Sequence, residues 1–224
     1  MAVVNKITAW SFSRLQDYRK CPLFAKFKHI DKIREPGNDA MARGSAIDQM
    51  ETDFITGKRK NCPEEIKSFE EEFKELRKRK ATCQEQWAFD KDWVEVDWFD
   101  KEAWCRIKTD VYTHNIKTNE LLVVDCKTGK VRDAHQEQVK LYALGGLMKL
   151  PTVDTVDARI WYTDQALEMP AEPEIYSRKD VPELKAYWLK QVKHMLSDTR
   201  FAPKPSADCR WCFFSKAKNG PCKF

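Results

Sequence analysis

Asp125 and Lys127 stand two residues apart at the exit of the segment Leu121-Leu122-Val123-Val124-Asp125-Cys126-Lys127-Thr128-Gly129-Lys130. The four apolar residues ahead of them predict a buried strand that stops at Thr128-Gly129. Strand side chains alternate faces, so the carboxylate and the ammonium emerge on the same side of a rigid support. Asp110 supplies a second carboxylate from residues 104–112, which read as a neighbouring strand, and residues 113–120, with Asn115 and Asn119, read as a hairpin connection. Hard oxygen donors of this kind hold Mg²⁺ or Mn²⁺ with several waters retained. Such an ion polarises a phosphoryl oxygen and acidifies a bound water, and an adjacent lysine can position that water or neutralise developing charge. The backbone carbonyl of Cys126 is a further candidate ligand. A lone Asp-x-Lys pair at a strand end is ordinarily a surface salt bridge; its neighbours in the sequence give it more weight.

Two helices carry those neighbours. Residues 40–55 predict a helix on which Gly44, Ile47, Asp48 and Glu51 share a face, so that Asp48 or Glu51 can complete the metal site. Gln138 and Tyr142, four residues apart, share a face of a helix expected from Asp133 as its cap to about Leu150, ahead of Pro151. Their amide and phenol suit a phosphate, a base, or the orientation of Lys127, although ordinary packing also accounts for them.

A second constellation is made of sulfur. Cys209-Arg210-Trp211-Cys212 with Cys222 gives three thiols, and Cys21, at the end of the first helix, is the candidate fourth. Four thiolates suit zinc or an iron-sulfur cluster, and spacing alone does not choose between them. Either would clip the tail onto the first helix and close a loop of nearly the whole chain, a structural rather than redox role. Cys62, Cys83, Cys105 and Cys126 are scattered and read as reduced thiols packed like small apolar residues.

The elements that must position these groups follow from composition and pattern. With 224 residues, 42% hydrophobic, eight Trp and twelve Phe, the chain can bury one sizeable core, and disorder is excluded. A net charge of +5 is compatible with a polyanionic partner without demanding one. No long apolar run or charged leader is present, which predicts a soluble, cytoplasmic protein with no membrane contact. Ser11-Phe12-Ser13 caps a short helix that ends at Cys21-Pro22, with Leu15 and Tyr18 on one face. A further helix starts at Asn61-Cys62-Pro63-Glu64, buries Ile66, Phe69, Phe73 and Leu76, and ends in Arg77-Lys78-Arg79-Lys80, which reads as a solvated helix end or a nucleic-acid contact. Short strands follow over residues 83–112, another strand covers 155–162, and a last helix covers 182–196 with Leu184, Trp188, Val192 and Met195 buried. These elements predict one α/β domain over residues 1–224 with a mixed central sheet, helices on its faces and a cysteine-rich tail.

The order Gly44…Asp48, Asp110, Asp125-x-Lys127, Gln138-x-x-x-Tyr142 resembles the RecB-like branch of the PD-(D/E)xK nuclease superfamily. So does the opening Ser11-Phe-Ser-Arg-Leu-Gln-Asp-Tyr-Arg-Lys-Cys-Pro22. The resemblance runs from about residue 11 to the last cysteine, with the core at about 40–165. One position departs from it: the family usually places His where this chain has Asp48, an oxygen donor still suited to Mg²⁺. The resemblance implies a restriction-endonuclease-like fold, Asp110 and Asp125 as metal ligands, Lys127 as the catalytic lysine, and Gln138 and Tyr142 shaping the site and contacting the cut strand. It implies a DNA exonuclease of recombination, repair or DNA turnover, alone or with a helicase or recombination partner. The alternatives are a structure-specific endonuclease and a non-catalytic DNA-binding protein. It also favours a four-iron four-sulfur cluster over zinc at Cys21, Cys209, Cys212 and Cys222, although the nine-residue gap between Cys212 and Cys222 is longer than in the members that carry one.

Overall fold

The computed structural model describes residues 5–224. The chain forms two compact units: Asn38–Tyr187, and the described residues up to Gly37 together with Trp188–Phe224.

In the second of these, α1 (Phe12–Lys20) starts at Ser11, whose hydroxyl accepts the amide of Arg14 at 3.3 Å. The helix stops at Cys21, which is extended, and Pro22 opens α2 (Pro22–His29). Proline cannot donate into the preceding helix but suits the first turn of a new one. Leu15 and Tyr18 are buried as their spacing predicts.

The Asn38–Tyr187 unit holds the sheet. Asn38 caps α3 (Asp39–Ile55) through the amide of Met41 at 2.9 Å. The expected helix after Pro63 is broken in two, a 3-10 turn over Glu64–Phe69 and then α4 (Glu70–Lys78), because Phe69 leaves helical geometry at φ −124°, ψ 30°. Its apolar stripe survives the break, with Ile66, Phe69, Phe73 and Leu76 all buried. Ile47, Phe54 and Ile55 of α3 join them in one apolar cluster with Val124 and Trp161.

Nine strands follow: β1 (Thr82–Cys83), β2 (Gln86–Phe89), β3 (Glu95–Val96), β4 (Cys105–Lys108), β5 (Val111–Asn115), β6 (Glu120–Lys127), β7 (Thr155–Tyr162), β8 (Leu167–Met169) and β9 (Ile175–Ser177). The main sheet has the order β1-β5-β6-β7-β8, with β9 also on β7, and β3-β2-β4 form a smaller sheet. β6 and β7 are parallel and the other pairs antiparallel, a mixed sheet as expected. The parallel pair requires a crossover, and α5 (Asp133–Lys149) supplies it. Arg132, not Asp133, occupies its cap position and makes no side-chain cap bond; Asp133 is the first helical residue.

The single strand expected over residues 104–112 is instead two. β4 pairs with β2 in the small sheet and β5 with β1 in the main one. The ribbon bends between them: Thr109 N donates to Glu85 O at 3.0 Å, Gln84 N donates to Asp110 O at 2.8 Å, and Gln84 is left-handed at φ 56°. A local break of this kind turns a strand out of one sheet into another. Asp110 therefore sits at a sheet corner.

The final helix, α6 (Val181–Ser197), buries Leu184, Trp188, Val192 and Met195. Its second half, from Trp188, belongs with the terminal segments, where Trp188 stacks on Trp10 with ring centroids 5.5 Å apart. Among the described residues no helix is long and apolar enough to cross a membrane.

Candidate active site

Asp125, near the exit of β6, is 2% exposed. Both of its oxygens are engaged: Oδ1 accepts the hydroxyl of Tyr142, and Oδ2 forms an ion pair with Lys127 Nζ. Tyr142 is held in turn by Gln138, whose Nε2 donates to its hydroxyl at 2.8 Å. A phenol has one proton, so the 3.4 Å contact of Tyr142 with Lys108 O is secondary to the bond to the carboxylate. The helix face predicted for Gln138 and Tyr142 is therefore present. It serves to orient Asp125, and Tyr142 is itself buried.

From the corner between β4 and β5, Asp110 Oδ2 accepts the amide of Cys126 at 3.0 Å. α3 contributes Asp48 and Glu51, the latter 4% exposed with Oε1 lacking any hydrogen-bond partner. The two acidic residues differ in setting. Glu51 lies beside the Cys126 thiol and feels Asp110 and Asp48, while Asp48 is half-buried and feels Lys127, Lys108 and Asp125.

The carboxylates crowd one another in a poorly solvated place, which favours their neutral forms. Burial first, then Asp110 and Asp48, push Glu51 up to about 9. Burial and then Asp125 push Asp110 up to about 8. Burial also raises Asp48. Burial works against the charge on Lys127, but Asp125 and Asp110 outweigh it, so the ammonium is held more firmly than in water. The cluster is thus short of positive charge, with Lys127 as the cation within it.

Its donors are hard oxygens, and Glu51 Oε1 is a buried acceptor without a donor, both of which fit a divalent cation. As the side chains stand, no group of three or more His, Cys, Asp or Glu among the described residues is set to hold a metal ion. In this arrangement Lys127 and Tyr142 engage Asp125, and the Cys126 amide engages Asp110.

Two further features escape sequence reasoning. His135, at the start of α5, shares a 2.6 Å hydrogen bond between its Nδ1 and Tyr162 Oη and stacks on that ring at 5.8 Å. Tyr162 is the β7 partner of Lys127, and burial followed by Lys127 lowers the His135 pKa. Only the parallel pairing of β6 with β7 brings this imidazole to the site; no sequence spacing signals it. Asp164 accepts a bidentate pair from Arg43 at 2.9 and 2.7 Å and the Gly129 amide at 2.9 Å, pinning the turn after β6 to the first turns of α3.

A family model described as the PD-(D/E)XK nuclease superfamily matches residues 9–217. The chain belongs to this superfamily. It is a nuclease by family, its fold the restriction-endonuclease-like mixed sheet between helices. The solved structure of SSO0001 is similar at 14% identity and a TM-score of 0.44, covering 100% of this chain and 91% of that one. A candidate exonuclease from Eubacterium rectale is similar at 12% identity and a TM-score of 0.47, covering 92% of this chain and 86% of that one. No curated protein matches the sequence.

The four cysteines of the second constellation lie together in the nuclease, lining one pocket in the terminal unit with Phe24, Phe27 and Phe214 around them. All four are free thiols and half-buried. Cys21 Sγ accepts the amide of Lys204 and Cys209 Sγ that of Ser206, both at 3.3 Å. The Ser215 hydroxyl, in the wall of the same pocket, is buried with no partner. Backbone amides donating to sulfur within an apolar shell fit thiolate ligands. Gly220 permits the turn that returns Cys222: a Cβ there would lie 2.3 Å from the backbone carbon of Phe214, whose carbonyl accepts the Cys222 amide at 2.9 Å.

Proposed function

We propose that the protein is a Mg²⁺- or Mn²⁺-dependent deoxyribonuclease that hydrolyses phosphodiester bonds at DNA ends. The observation that carries this reading is the gathering of Asp48, Glu51, Asp110 and Asp125 around Lys127 in a chain of the nuclease superfamily. Asp110, Asp125 and the Cys126 carbonyl, with Glu51 or Asp48, would hold the ion, which when bound supplies Lewis-acid polarisation of the phosphate and an acidified water.

The rest of the chemistry falls to the side chains. The Tyr142 hydroxyl, set by Gln138, fixes the orientation of Asp125. The Cys126 amide fixes Asp110. Lys127, kept protonated by Asp125 and Asp110, would turn its ammonium to a non-bridging phosphate oxygen and stabilise the charge that grows as water adds to phosphorus. An ammonium placed ahead of the reaction gives more in this buried setting than in water.

At the cysteine pocket the same reading places a four-iron four-sulfur cluster, with zinc as the other thiolate-bound metal. The free thiols, their amide donors and the orphan Ser215 hydroxyl support it. A helicase or recombination partner would give such an enzyme its DNA ends.

The test uses purified protein with end-labelled linear DNA and covalently closed circles in Mg²⁺, Mn²⁺ or EDTA. Digestion of linear DNA alone, abolished by EDTA, is expected. Cut circles would make it an endonuclease, and absence of metal-dependent cutting would leave a binding protein. Asp110→Asn and Lys127→Ala should each reduce the rate by a factor of about 100 or more, the scale of losing a preorganised charge, with the fold intact by circular dichroism. Parent-like cleavage by both variants would sink the site assignment.

A further inference from the structure

Beside Arg77-Lys78-Arg79-Lys80, the run that reads in the sequence as a solvated helix end or a nucleic-acid contact, the folded chain brings a second run of cations. Lys58, Arg59 and Lys60 follow α3 and are exposed, as are Lys78, Arg79 and Lys80 at the end of α4. Arg77 ties the two segments together. Its Nη1 donates to Arg59 O at 3.2 Å, its guanidinium lies 5.7 Å from the centroid of the Phe54 ring, and it rests against Gly57, which turns the chain out of α3 at φ 82°. Seven basic residues from two separate stretches therefore converge within the Asn38–Tyr187 unit.

Little neutralises them. Among the described residues Glu75 is the carboxylate that pairs within the group, at 2.8 Å to Arg79 and 3.7 Å to Lys78. The other acids of α4, Glu70, Glu71 and Glu72, lie in its first turn, at the opposite end. A helix macrodipole favours cations at a C-terminus, which accounts for Lys78 and Arg79. It does not account for a second basic run fastened against the first. Nor does it account for Lys80, which occupies a left-handed position at φ 54° just past α4, where glycine is the usual residue. Concentrated like charge raises the local potential and attracts a polyanion.

Half of the patch follows directly on α3, the helix that carries Asp48 and Glu51. Glu51 lies four residues before the end of α3 at Ile55, roughly 6 Å along the axis at about 1.5 Å per residue, and Lys58 follows just beyond that end. We propose that Lys58, Arg59, Lys60 and Lys80, framed by Arg77, bind the phosphodiester backbone of the nucleic-acid substrate outside the cleavage site. The lysines are point charges on flexible stems and the arginines phosphate-matching forks, contacts that grip a phosphate backbone without reading sequence. The inference rests on the nuclease reading but concerns binding, which is measured apart from cutting.

The experiment compares the parent with the variant Lys58→Gln/Arg59→Gln/Lys60→Gln/Lys80→Gln, leaving Arg77 in place to preserve the packing. Anisotropy titrations with a labelled duplex in EDTA, from 50 to 200 mM salt, give Kd and its salt slope. The variant should bind about 10-fold more weakly or worse, and its slope should be shallower by roughly 0.9 for each phosphate it no longer neutralises. Melting temperature and kcat at saturating DNA should stay those of the parent, with KM raised. A variant with the parent's Kd and slope overturns the proposal, as does a parent that binds no duplex. A parent that binds but does not cut, with binding abolished in the variant, upholds the patch and rejects the deoxyribonuclease reading instead.

Discussion

At the scale of the residue, the site is governed by carboxylates that cannot all be ionised without a cation. Glu51 keeps its proton up to about 9 and Asp110 up to about 8 in the folded, metal-free protein, because burial and mutual repulsion penalise the charged forms. The unfolded chain releases the same protons near the ordinary values of 4.5 and 3.8. Between those limits the native state binds more protons than the unfolded state, so stability falls as pH rises. The melting temperature of protein in EDTA should therefore fall steadily from pH 5 to 9, and Glu51→Gln should flatten that fall, most visibly above pH 6. Equal slopes for variant and parent in scanning calorimetry would remove Glu51 from the cluster. Mg²⁺ should oppose the fall, because a cation favours the ionised forms.

At the scale of the element, α5 orients the site only because it lies close on both sheets. Gly145 and Gly146 make that approach possible: a Cβ at Gly145 would lie 2.5 Å from Ile107 Cδ1 and 3.1 Å from the buried Trp87 ring, and one at Gly146 2.4 Å from Leu121 Cδ2. Both glycines lie within α5 towards its C-terminal end, where they cost up to about 1 kcal/mol each relative to alanine. Gly145→Ala gains that propensity but overpacks the interface, at about 1–3 kcal/mol. The rigid Trp87 decides the balance, and a net loss of stability with a melting temperature lower by a few degrees is expected. Because Gln138 and Tyr142 are on the same helix, cleavage should fall as well; a variant more stable than the parent would show that α5 has room to move.

At the scale of the whole molecule, residues far apart in the chain meet in each constellation. Cys21 joins Cys209, Cys212 and Cys222 across most of the sequence, and a metal group there would withdraw a long loop from the unfolded chain's freedom. Anaerobically purified protein should be brown, with broad absorbance near roughly 400 nm, and Cys21→Ser should lose the colour and melt at lower temperature. One stoichiometric zinc in a colourless protein would assign the pocket to that metal, and neither metal, with unchanged melting of Cys21→Ser, would reject the clip.

Local chemistry made much of this legible in the sequence. Ser11 before α1, the apolar run of β6 and the four-residue spacing of Gln138 and Tyr142 each act within a few residues, and such signals are written in neighbouring positions. What depends on pairing between distant segments was not legible. The sheet corner at Asp110 exists because two ribbons bend together, and His135 reaches the site because β7 lies parallel to β6. The basic surface exists because Arg77 bonds across to Arg59. Residue type and local spacing specified which groups were available for chemistry and which element carried each. Folding then set the Tyr142 bond to Asp125, the burial of Glu51 with Oε1 unpartnered, and the meeting of two basic runs. Those outcomes depend on distance in space, which a one-dimensional spacing does not contain.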